Sequence, residues 1–138
     1  MAKLTITDQD ILKATPPEAG WHLFEICEFE AKDRTKATPA KEGWEYKFQL
    51  RVLKSNPDCK ESNVGREIPC SFYSTGMGFM MPFVSAVLEI PIKEKLDFDP
   101  DEFVAQKKQV MGEVVKGIWN NKETLKVPNF APASGCPF

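Results

Sequence analysis

The chain contains one histidine, His22, and none of its four cysteines (Cys27, Cys59, Cys70 and Cys136) forms a CxxC pair. A four-ligand zinc site would have to be gathered from distant positions, so no metal is expected and reduced thiols are. No P-loop and no GxSxG elbow is present, and Gly76-x-Gly78 lacks the third glycine of a phosphate-binding turn. A nucleophile system would have to converge on the lone His22 from elsewhere, so no cofactor and no enzymatic activity are expected. Asp97-x-Asp99-x-Asp101 opens like a calcium loop, but Glu102 and Lys108 stand where that loop needs Gly and Glu. Long apolar runs are missing too. The stretch Met77 to Ile92 is broken by Pro82 and Glu89 and is too short for a bilayer, and the first eight residues lack an apolar core. A cytoplasmic protein is expected.

What is present is aromatic and segmented. The 138 residues suit one domain with a core of its own, and they include ten Phe, three Trp and two Tyr. Eleven Pro and eight Gly cut the chain into short pieces, which favours strands over a helical bundle. Trp44, Tyr46, Phe48, Leu50 and Val52 alternate with Glu45, Lys47, Gln49 and Arg51, a period of two that predicts a strand with one buried face. Trp21 to Glu30 reads as its partner, with looser alternation. The polar stretch Ala31 to Gly43 is too long for a tight turn and is expected to project as a mobile cationic loop.

Residues 1–19 read as a lead-in, with Leu4 and Ile6 as a strand fragment and Asp8 capping a helical turn through Lys13. Asn56-Pro57-Asp58 reads as a turn. Val64 to Tyr73 forms a third strand, at an edge or bulged at Pro69, which has no N–H to donate. Phe79 to Ile90 switches to helical spacing, and Asp99-Pro100 starts a short helix with Asp99 as N-cap. Gln109 to Trp119 and Glu123 to Val127 are the last two strands, turning at Asn120-Asn121-Lys122, and residues 128–138 read as a tail. The resulting order, β-β-β-α-β-β over residues 20–127, is that of an all-β domain with one or two short helices: a five-stranded OB-type barrel. A split sandwich or a partly open barrel uses the same elements.

Charge is segregated. Residues 31–66 hold nine basic and five acidic side chains, against nine and fifteen elsewhere, so a local +4 sits in a chain of net −2. Chance clustering on a solvated surface is the alternative reading. Single-stranded nucleic acid is held by cations along the phosphates and by rings on which bases stack. Lys32, Arg34, Lys36 and Lys41 in the long loop, Lys47 and Arg51 on the polar face, Arg66 and Lys122 supply candidate cations. Trp44, Tyr73 and Trp119 lie near predicted strand ends and are the candidate rings, each as open to packing as to stacking. Tyr46 and Phe48 share the apolar face and are expected in the core.

Several of these segments carry a resemblance. Pro17-Glu18-Ala19-Gly20-Trp21, Trp44 to Val52, Gly65-Arg66-Glu67-Ile68, and Phe103-Val104 followed by Gln109 to Val114 resemble motifs of a family of small phage proteins. That family was long catalogued as a domain of unknown function. Its members are similar to OB-fold single-stranded-DNA-binding proteins of replication and recombination. In this chain Ala105-Gln106-Lys107-Lys108 replaces the family's compact Gly-Lys turn. The terminal Pro137-Phe138 resembles the partner-docking end of bacterial single-stranded-DNA-binding proteins, without the acids that precede it there. The resemblance implies a largely sequence-independent single-stranded-DNA-binding protein of phage replication or recombination, with partner proteins reached through the tail. A protein-interaction or virion-associated module is the alternative.

Overall fold

The computed structural model describes residues 3–57, 59 and 63–138. Asp58, the third residue of the expected turn, lies outside them. Strands β1 (Gly20–Asp33) and β2 (Trp44–Ser55) form the predicted hairpin, with Phe24, Ile26 and Phe29 opposite Val52, Leu50 and Phe48. A bulge between Ile26 and Glu28 shifts the phase of β1, which is why its alternation looked loose in the sequence. Strand β3 (Glu67–Tyr73) pairs only with β2, so Pro69 sits on an edge.

A 3₁₀ segment (Ser74–Phe79) leads into helix α2 (Met81–Leu88), whose Phe83, Val84, Ala86 and Val87 are buried. Helix α3 (Pro100–Ala105) starts as expected, with the Asp99 carboxylate accepting from the Asp101 amide. Strands β4 (Gln109–Trp119) and β5 (Lys122–Pro132) follow. The turn between them places Asn120 and Asn121 at φ 51° and 59°, the left-handed pair that a two-residue hairpin needs.

Three expectations require correction. Strand β5 runs through Pro132, well past Val127, and a 3₁₀ turn (Ala133–Gly135) follows, so most of the expected tail is sheet or turn. Proline is compatible there because β5 is the other edge strand and is bulged beside Pro128. Leu4 and Ile6 form no strand and lie exposed. Helix α1 (Asp8–Ala14) is capped by Thr7, one residue earlier than expected, because the Thr7 hydroxyl and the Asp10 carboxylate bond each other's amides reciprocally.

The five strands form one antiparallel sheet in the order β3-β2-β1-β4-β5. It is not closed into a barrel: β3 and β5 are the outer strands, and no ladder joins them. They approach through side chains instead. The Phe72 and Phe130 rings lie 6.3 Å apart, and Phe83 of α2 packs against both, at 5.3 and 5.0 Å. Phe48 extends the cluster, 4.8 Å from Phe83. Gly112 is required by close packing rather than by backbone freedom. A Cβ there would come within 2.8 Å of Val127 and 3.0 Å of Phe24.

A polar network closes the end of the sheet where β1 begins. The fully buried His22 donates from Nε2 to the Glu18 carbonyl (2.7 Å) and accepts at Nδ1 from the Ser55 hydroxyl (2.9 Å). The buried Asn63 carbonyl accepts from the Glu18 amide (2.8 Å), while its amide donates to the Glu18 carboxylate (2.6 Å). Burial lowers the His22 pKa, outweighing the hydrogen bond and the charge of Glu18, which raise it. His22 is thus neutral in the fold, and its protonation favours the unfolded chain. Stability is full above the unfolded value of about 6.5 and declines as pH falls from there toward the folded pKa. Proton NMR of this single histidine is expected to show a midpoint below 6.5; a midpoint at or above that value would refute the burial argument.

Candidate nucleic-acid interface

The β1–β2 connection is ordered by its own hydrogen bonds rather than projecting freely. Asp33 accepts from the Thr35 hydroxyl and amide (2.7 and 3.0 Å), bonds that hold its carboxyl below the usual range. The Arg34 amide donates to Gly43 and its carbonyl accepts from Lys41, at 3.0 and 3.1 Å, which folds the loop back on itself. The Arg34 guanidinium then lies 4.5 Å above the Tyr73 ring, at the far end of β3. Lys32, Arg34, Lys41, Pro39, Glu45 and Tyr73 line an open cleft of about 260 Å³. Lys36 sits in the same loop, and Trp44 is half exposed at its exit. The loop cations are expected together from the sequence, with Tyr73 a separate candidate ring; the register of β2 with β3, Glu45 opposite Tyr73, brings that ring to the loop.

The other candidates are placed differently. Register puts Lys32, Glu45 and Tyr73 in one row across the outer face, then Glu30, Lys47 and Ser71, and further along Glu25, Arg51 and Glu67. Signs alternate, so the polar face of β2 is not a cationic track. Arg51 is committed to Glu67 through Nε and Nη2, both 3.2 Å from one carboxylate oxygen that is nearly buried. Arg66 reaches Asn63 at 3.4 Å at the opposite end of the sheet, and its Nε has no hydrogen-bond partner among the described residues. Trp119 and Lys122 lie at the tip of the β4–β5 hairpin, five or more residues past the last β1–β4 pair at Gly20 and Val114, and neither lines the cleft.

Two of the four thiols, Cys27 and Cys70, are held in the protonated form by burial. Burial pushes Cys27 up to about 11 and Cys70 up to about 12, so neither forms a thiolate near neutrality. Among the described residues no group of His, Cys, Asp and Glu is arranged to hold a metal, and no helix is long and apolar enough to cross a membrane. No known protein family and no curated protein matches the chain.

Proposed function

We propose that this chain binds single-stranded DNA through the cleft at the β1–β2 loop, without reading sequence, as a phage replication or recombination factor. The observation that carries the proposal is the Arg34–Tyr73 stack ringed by Lys32 and Lys41. A guanidinium lying on an aromatic ring offers a flat surface for a base, and the flanking lysines take the adjoining phosphates. An OB-type curl of the sheet is part of the same reading. It is supported by the element order and by the approach of β3 to β5 through Phe72 and Phe130. Acids interleaved on the outer face restrict the footprint to the few nucleotides the loop can reach.

Fluorescence anisotropy with labelled oligo-dT and its duplex tests the proposal. Single strands are expected to bind more tightly than duplex. With four loop cations engaged, the log–log salt slope should be about −3. Equal binding of duplex and single strand, or no binding at micromolar protein in low salt, would reject it.

A further inference from the structure

Among the described residues two apolar features remain unpartnered. The pairing of β1 with β4 ends at Gly20 opposite Val114, so the rest of the β4–β5 hairpin projects as a two-stranded arm without β1 support. Ile118 and Trp119 at its tip are 82% and 70% exposed. Where β2 begins and β3 ends, Tyr46, Met77, Met80, Met81, Leu96 and Phe98 line two adjoining cavities of about 290 and 160 Å³. The cavities share Met77, Met80, Leu96 and Phe98 and so form one trough. Methionine-rich walls adapt to an inserted side chain.

Charge matches the two. Residues 115–126 of the arm carry three lysines and one acid, whereas residues 89–102, which supply Ile92, Leu96, Asp97 and Phe98 to the trough walls, carry six acids and two lysines. Lys116 pairs with Glu123 within the arm at 3.5 Å. Register places Trp119, Lys122 and Lys126 on one side of the ribbon, and Lys126 makes no ion pair among the described residues. Phe130 of β5 packs against Phe83, next to the trough residue Val84, and the arm tip lies eight residues further along β5, about 26 Å away, so a chain does not fill its own trough with its own arm.

We propose that the trough receives the Ile118–Trp119 arm tip of a second copy of this chain, giving a head-to-tail contact that leaves one arm and one trough open for further copies. The contact does not depend on the nucleic-acid reading, and its test contains no nucleic acid. Sedimentation velocity of the full chain in low salt is expected to show weight-average mass rising roughly twofold or more with concentration, and falling back in high salt. Ile118→Ser/Trp119→Ser on the arm and Met77→Glu in the trough should each sediment as monomers with wild-type thermal transitions. Mixed in equal amounts they should form a one-to-one dimer and nothing larger, since only one intact arm and one intact trough remain to meet. Should Met77→Glu unfold, Met81→Glu serves as the trough variant. A wild-type chain that stays monomeric, one that saturates as a dimer, or a variant mixture that remains monomeric would each overturn the proposal.

Discussion

Replacing Phe83 by Ala is expected to destabilise the domain by about 3–5 kcal/mol, the usual cost of emptying a large aromatic site in a core. Phe83 is fully buried, and its ring lies within 5.3 Å of Phe48, Phe72 and Phe130. Those three rings belong to β2, β3 and β5, so the lost ring bridges the two outer strands, which otherwise meet through Phe72 and Phe130 at 6.3 Å. A domain of this size has only about 5–15 kcal/mol in total, so the urea midpoint should fall by about 2 M. Phe79→Ala is the matched control: that ring is 84% exposed, and its loss should change stability by less than about 0.5 kcal/mol. If Phe83→Ala cost under about 1 kcal/mol, the outer strands would have to be held by something other than this cluster.

The second large effect concerns the cleft. Changing Lys32, Arg34 and Lys41 together to Ala removes three of the four loop cations and also uncovers Tyr73. Single-strand affinity in low salt is expected to drop roughly a hundredfold, with the salt slope shallower by about 2. Tyr73→Ala alone should lose about 1–3 kcal/mol of binding, the scale of one stacked base, and leave the salt slope unchanged. That split matters because the two variants remove different physics. If the triple variant binds undiminished, the loop is not the interface. If Tyr73→Ala flattens the slope instead, its ring acts by positioning Arg34 rather than by stacking. Arg51→Ala serves as a contrast, since its guanidinium is occupied by Glu67. It should act on stability far more than on binding, because it leaves a nearly buried carboxylate with the Gln49 hydrogen bond but without its cation.

Local chemistry made several elements legible. The alternation from Trp44 to Val52 and the Asp99-Pro100 helix start fixed those elements because each signal is local to its own residues. The missing N–H of Pro69 limited its strand to an edge or a bulge, and the sheet order decides for the edge. Strand β5 was cut short because Pro128 and Pro132 look like breakers in a string, whereas on an unpaired edge they cost no ladder bond. Lys126 went unnoticed for the same reason, since its side of the ribbon is defined only once β4 and β5 are in register.

The candidate cations show a similar limit. Glu30, Glu45 and Glu67 lie beside Lys47, Lys32 and Arg51 only after three strands are aligned, so the sequence overstated the continuity of positive charge. The trough was invisible for a related reason. Its walls come from β2, the 3₁₀ segment, α2 and the stretch before α3, and no single window of sequence holds them.

The prolines of the outer strands have a consequence for how copies of this chain meet. An open sheet presents two rows of backbone groups to any other strand, the usual route to runaway aggregation. Here Pro69 interrupts one row, and Pro128 and Pro132 interrupt the other. A neighbour trying to extend the sheet would meet a pyrrolidine ring where it needs a donor. Contacts between copies are thereby steered away from backbone pairing and toward side chains, which can come apart again.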